Sequence, residues 1–158
     1  MRRARVTLHP CYLGWREWAA LPELSIRKIK VKIDTGARTS ALHVVDMEIL
    51  ENKKGLQVAF TVPDCLLSPT KARITLPVRD KRDIKNSGGN IEHRVVIHTT
   101  VIMGETMWPI ELTLTDRAGM KFPMLLGRMG IPHGVVVNPY LSFVQGEAKR
   151  SHPQGDDV

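Results

Sequence analysis

Asp34 is the first residue whose type and setting point to chemistry. It opens Asp34-Thr35-Gly36-Ala37, directly after the alternating run Lys28-Ile29-Lys30-Val31-Lys32-Ile33. A strand that runs into Asp-Thr-Gly-Ala places a carboxylate on a tight loop, where it can take up and release a proton. Gly36 permits close backbone approach and unusual dihedrals. The Thr35 hydroxyl can bond to neighbouring backbone. The tripeptide alone also makes ordinary turns. Its setting singles it out: an apolar strand ends at Ile33, and small residues continue to Ala41. A second element, Phe122-Pro123-Met124-Leu125-Leu126-Gly127-Arg128, reads as a buried strand ending beside another loop. Between the two lies residues 81–93, a charged segment containing Asn86-Ser87-Gly88-Gly89-Asn90. Flanked by strand candidates, it reads as a hairpin whose glycines can take positive φ.

The elements that must position these residues are strands. In the run from Lys28 to Ile33 apolar and basic residues alternate strictly, the mark of a half-buried strand. Ile29, Val31 and Ile33 should face the core and the lysines solvent. Further strands are expected over residues 47–50, 56–62, 72–78, 94–103, 107–115 and 135–137. Turn signals such as Asn52-Lys53-Lys54-Gly55 and Met103-Gly104-Glu105 separate them. Only one short helix, around residues 127–131, is expected. Many short strands at hairpin spacing predict an all-β protein with a closed or sandwiched sheet. Residues 1–11 read as a basic arm, 12–145 as one domain, and 146–158 as a polar, disordered tail.

The chain has 158 residues, enough for one domain, and 42% of them are hydrophobic. Its net charge of +7 favours acidic partners, although a basic surface also serves plain solubility. Its two cysteines, Cys11 and Cys65, are too few for a disulfide framework and predict a reduced, cytoplasmic setting. No apolar run approaches a membrane span. The start, Met1-Arg2-Arg3-Ala4-Arg5, lacks the apolar segment of a signal peptide.

The order of these parts resembles the retropepsins. In that resemblance Asp34, Thr35 and Gly36 form the catalytic loop and the central hairpin is the flap. Leu125, Leu126, Gly127 and Arg128 support the loop. Gly14-Trp15-Arg16-Glu17-Trp18, the run from Lys32 to His43, and Met124-Leu125-Leu126-Gly127-Arg128 together resemble a bacterial family more narrowly. It is the RimB-type family, which carries the label ATP-dependent zinc protease. The resemblance implies a retropepsin-like closed β-barrel subunit with a flap hairpin. It also implies an intracellular peptidase associated with an ATP-grasp ligase that adds glutamates to a ribosomal protein, with the peptidase trimming such tails.

An aspartic peptidase needs two carboxylates sharing one proton. The chain has a single Asp-Thr-Gly, so Asp34 must meet Asp34 of a second copy across a two-fold axis. Arg38 stands where retropepsins usually carry a small or acidic residue. Its guanidinium would favour ionised carboxylates and oppose a shared proton, or would pair with an acidic substrate side chain. With Arg38, the hairpin residues Arg82, Ser87, Gly88, Gly89, His93 and Arg94 are the candidate substrate-binding set for acidic peptides. No metal is expected: there is no His-Glu-x-x-His, and His93 and His98 should lie on opposite faces of one strand. His9 and Cys11 would give only two of the four ligands a structural zinc wants. No phosphate-binding loop is present, so any ATP requirement belongs to a partner. The alternatives are a non-catalytic basic module that binds ribosome, RNA or the ligase, and a zinc metallopeptidase as the label says. The basic module lacks a recognisable RNA-binding motif.

Overall fold

The computed structural model describes Pro10 and residues 12–63, 65–67, 73–85, 88–116 and 121–148. The expected arm, the final ten residues of the expected tail, and Ser87 lie outside the described residues, apart from Pro10 in the arm. The described chain is almost entirely strand. The strands are β1 (Tyr12–Leu21), β2 (Ile26–Ile33), β3 (Ala41–His43), β4 (Val45–Asn52), β5 (Gly55–Thr61) and β6 (Leu66–Leu67). They continue with β7 (Ile74–Pro77), β8 (Asp80–Lys85), β9 (Ile91–Met103), β10 (Thr106–Thr115), β11 (Met124–Leu126) and β12 (Val136–Ser142). Helix is confined to two 3-10 turns among the described residues, Pro22–Leu24 and Arg128–Gly130, the second where the short helix is expected.

Nine strands form one sheet in the order β12-β1-β2-β11-β3-β10-β9-β8, with β6 added to β2. The sheet curls until Ala20 of β1 pairs with Ile102 of β9. The barrel that results is not formally closed, because that closing contact rests on a single registered pair. A second, three-stranded sheet, β4-β5-β7, stands beside it. Ile29, Val31 and Ile33 are buried as the alternation of β2 requires, and they join Leu42, Ile97, Leu112, Leu114 and Met124 in one apolar core. Among the described residues, no helix is long and apolar enough to cross a membrane.

Two local findings depart from expectation. The β2 lysines are half-buried rather than free in solvent. Lys28 Nζ lies 4.5 Å and Lys30 Nζ 5.7 Å from the centre of the Trp18 ring, and Trp18 in turn stacks on Phe143 at 4.9 Å. These are cation–π contacts, in which the ring face attracts the ammonium. The second departure is β1. Its pairing slips between Gly14 and Arg16 and again between Ala19 and Leu21, and its inward face carries the fully buried carboxylate of Glu17.

Glu17 is satisfied by backbone alone. Its Oε2 accepts the N–H of Gly14 at 2.7 Å and of Val144 at 3.1 Å, and its Oε1 accepts the N–H of Gln145 at 3.1 Å. One side chain therefore ties the segment after β12 to the slip in β1. Removing it strands three donors, and each unsatisfied buried donor costs about 1–3 kcal/mol. Glu17→Ala should lower unfolding free energy by at least about 3 kcal/mol in a urea titration. Glu17→Gln, which keeps an acceptor, should lose less.

Candidate active site

The Asp34 loop is built from backbone bonds between two strands that are remote in sequence. β2 runs parallel to β11, with Ile33 opposite Leu126, and β11 runs antiparallel to β3. As the chain leaves β2, Asp34 N–H donates to Leu126 O at 2.8 Å. The loop then turns tightly: Ala37 N–H donates to Asp34 O at 3.1 Å, and Gly36 N–H donates to Asp34 Oδ1 at 3.1 Å. That last bond points the carboxylate back over its own loop.

The chain leaving β11 supports the loop from beneath. Arg128 N–H donates to Ala37 O at 2.8 Å, and Met129 N–H donates to Arg38 O at 3.0 Å. Gly127 N–H donates to Ser40 Oγ at 3.0 Å, and an Arg128 guanidinium nitrogen donates to Thr35 O at 3.0 Å. Ser40 O in turn accepts the Thr113 N–H at 3.0 Å and its hydroxyl at 2.7 Å, which fixes the loop to β10. A Cβ on Gly127 would sit 2.5 Å from Thr39 O and 2.9 Å from the Arg38 carbonyl carbon, so only glycine fits.

Above the loop opens a cleft of about 1150 Å³. Asp34, Gly36, Arg38 and Leu125 line it, together with Arg82, Arg94, His98 and Glu111. Asp34 is half-buried, while Thr35, Gly36 and Arg38 are exposed. The hairpin of β8 and β9 contributes Arg82 and Arg94 to the lining, paired in register. Arg94 is buried, bonding Glu92 Oε1 through Nε at 2.7 Å and the Thr113 hydroxyl at 3.3 Å. Arg82 bonds Glu111 through both terminal nitrogens at 2.8 and 3.1 Å, and Asp80 through Nε at 2.8 Å. The guanidinium holds Glu111 below its ordinary carboxylate range; His98 adds to this, while slight burial opposes it. The bond from Arg82, then the Lys81 N–H, lowers Asp80 in the same sense, and the two carboxylates raise Arg82. The network therefore stays ionised in mild acid.

The structure gathers Asp34, Gly36, Arg38, Arg82 and Arg94 around one cleft. Leu126, Gly127 and Arg128 bond to the loop between β2 and β3, whereas Leu125, grouped with them as loop support, lines the cleft. Gly88 and Gly89 are exposed at the hairpin tip, Gly89 with φ of 86°, and neither lines the cleft. His93 is exposed, pairs with Asp83 and does not line it either. The histidine that does is His98, which shares a strand face with Arg94. Counting by twos from Arg94 would have found it; nothing in the sequence announces Glu111, which enters from the neighbouring strand. No group of three His, Cys, Asp or Glu able to hold a metal occurs among the described residues. His43 is half-buried on β3 and His133 is exposed.

Comparison with known proteins shows the family. The family described as RimB-like, "Retropepsin-like aspartic endopeptidase RimB", matches residues 12–148. The chain belongs to the RimB-like family. Proteins named "Probable alpha-L-glutamate ligase" from Desulfotalea psychrophila and Shewanella halifaxensis are 40% and 38% identical to it. The matches cover 87% and 85% of this chain but only 30% of each of those proteins. A crystal structure of a Legionella pneumophila protein of unknown function (DUF785) superposes with a TM-score of 0.66 at 27% identity. It covers 85% of this chain and 97% of that one. The chain thus matches nearly the whole of the Legionella chain but spans under a third of the length of the ligase-named proteins.

Because Gly127 packs on backbone, the neighbour cannot rotate away from an added methyl. Gly127→Ala should cost about 1–3 kcal/mol, the usual range for forced overpacking. Thermal denaturation would measure the loss, and a crystal structure of the variant should show residues 36–40 displaced.

Proposed function

We propose that this RimB-like chain is one half of a homodimeric aspartic peptidase that cleaves acidic, glutamate-rich protein segments. The observation that carries the reading is the Asp34 loop. Its backbone is fixed by Leu126, Arg128 and Met129, its carboxylate is oriented by the Gly36 N–H, and it borders a cleft that arginines also line. In the reaction one Asp34 carboxylate takes a proton from water while its protonated twin polarises the scissile carbonyl. Two such groups held close keep one proton between them.

The lone Asp-Thr-Gly makes a second copy part of the site. The exposed apolar side chains support this. Arg16 pairs with Lys32 and Tyr12 with Val136, so β1 and β12 both begin at the end of the sheet where β2 delivers Asp34. Tyr12 (46% exposed) and Val136 (64%) stand at that end, and Met129 (71%) lines the cleft itself. Contact with a twin subunit would remove this surface from water.

The acidic substrate class is supported by Arg38 and Arg82, since a guanidinium recognises carboxylate in two-pronged fashion, whereas Arg94 is buried on Glu92 and Thr113 and cannot offer its fork to a substrate. The ligase-named relatives support a functional link to a glutamate-adding, ATP-grasp enzyme. The peptidase would trim what that ligase adds to a ribosomal protein, and ATP would be consumed by the ligase alone.

Asp34→Asn should reduce cleavage of a glutamate-tailed peptide by at least about 10²–10⁴-fold, with an unchanged circular dichroism spectrum. Specific activity of the unmutated chain should fall on dilution as dimers dissociate. Full activity of the Asn variant, or turnover blocked by a metal chelator, would refute the reading.

A further inference from the structure

Arg82 faces the cleft with its binding capacity already taken. Both terminal nitrogens are on the Glu111 carboxylate, and Nε is on Asp80. This is the geometry in which a guanidinium holds a carboxylate ligand best. His98 Nε2 stands 3.3 Å from the same Glu111 Oε2. Arg82 is 35% exposed and Glu111 46%, so solutes can reach the pair.

The strand order gives the contact its meaning. Arg82 lies on β8 and Glu111 on β10, with β9 between them. Across β9, Arg82 is registered with Arg94, and Glu111 with His98. The pair therefore reaches diagonally over an intervening strand that already joins both neighbours by backbone ladders. An exposed ion pair adds little stability, typically about 0–1 kcal/mol, so the fold does not depend on it. What the pair does is fill an arginine fork, in the cleft that Asp34 also lines, with the chain's own glutamate.

We infer that Arg82 is the subsite for an acidic side chain of the substrate, and that Glu111 is its built-in competitor, displaced when substrate binds. The word substrate rests on the peptidase reading above; the displacement itself does not. Exchange of one carboxylate for another on the same guanidinium is nearly even, and Glu111 keeps His98 as a partner after it leaves. A single acidic residue therefore gains little. A run of them presents several competitors at high effective concentration and wins. A neutral peptide cannot open the pair at all. Glu111 thus makes the cleft selective for runs of acid over isolated acidic residues.

The test is binding of tetra-glutamate to the full chain carrying Asp34→Asn, measured by titration calorimetry, with tetra-glutamine as the neutral control. Adding Glu111→Gln removes the competitor's charge and should tighten tetra-glutamate binding about tenfold. Adding Arg82→Lys instead keeps the charge, loses the fork, and should weaken it by a similar factor. Neither change should produce binding of tetra-glutamine. Unchanged or weaker binding in the Glu111→Gln protein would overturn the inference, as would wild-type affinity in Arg82→Lys. Cleavage assays on the Asp34 chain separate the two readings. Binding that follows the pattern without any cleavage would sink the peptidase and leave the subsite standing. Cleavage with binding indifferent to both substitutions would do the reverse.

Discussion

The backbone of Thr39 passes 2.5 Å from the point where a Cβ on Gly127 would sit, and the geometry of the cleft follows from that approach. Because residue 127 has no side chain, the chain leaving the three-residue strand β11 can slide beneath the loop between β2 and β3. Its amides then reach Ala37 O and Arg38 O, and the Asp34 amide reaches Leu126 O. The loop's backbone is satisfied by a strand more than eighty residues away in sequence, roughly the separation of Asp34 and Leu126. Any side chain at 127 would push these partners apart, and the carboxylate would lose its fixed position along with them.

Carboxylates in three settings show how environment assigns roles to chemically similar groups. Glu17 is fully buried and held by three backbone N–H donors; it is a structural tie that burial closes to any ligand. Glu111 is exposed but engaged by the Arg82 fork and His98. Asp34 is half-buried, with the Gly36 N–H on one oxygen and the cleft before it. Of the three, Asp34 combines a fixed orientation with room to meet another group. That combination, more than the identity of the tripeptide, is what makes it the chemically available carboxylate.

The features legible in the sequence were those carried by local pattern. Strict alternation located β2 and its buried face, glycine-rich turns located the hairpins, and the Asp-Thr-Gly-Ala and Leu-Leu-Gly segments located the loop and its support. β1 was not legible, because Glu17 puts a charge on the inward face and two slips in pairing break its period. The cleft wall was half legible. Arg82 and Arg94 stood out as charges on a hairpin, but His98 and Glu111 become neighbours only through strand pairing between β9 and β10, and of the two β9 histidines it is His98 and not His93 that lines the cleft. Cross-strand register is a property of the assembled sheet and leaves no signal at either residue alone.

The basic excess of the chain is likewise resolved by pairing and not by count. Lys28 and Lys30 lie over Trp18, Lys28 also meets Glu147 at 3.0 Å, and Arg16 sits 4.6 Å from the Trp15 ring and 5.1 Å from that of Phe143. These cations help to pack the outer face of the sheet through ring contacts and long apolar stems. A net charge of +7 spread over such positions says little about partners. In the cleft the same bookkeeping gives a different answer. Arg94 is bound by Glu92 and Arg82 by Glu111 and Asp80, whereas Arg38 is exposed on the Asp34 side and makes no ion pair among the described residues. The cleft is therefore lined by guanidinium groups whose charge is partly masked by the chain's own acids, and an anionic ligand gains most at Arg38, while at Arg82 it must first displace an existing partner. Selectivity in such a site comes from the difference between two pairings of the same arginine, which depends far more on geometry than on total charge.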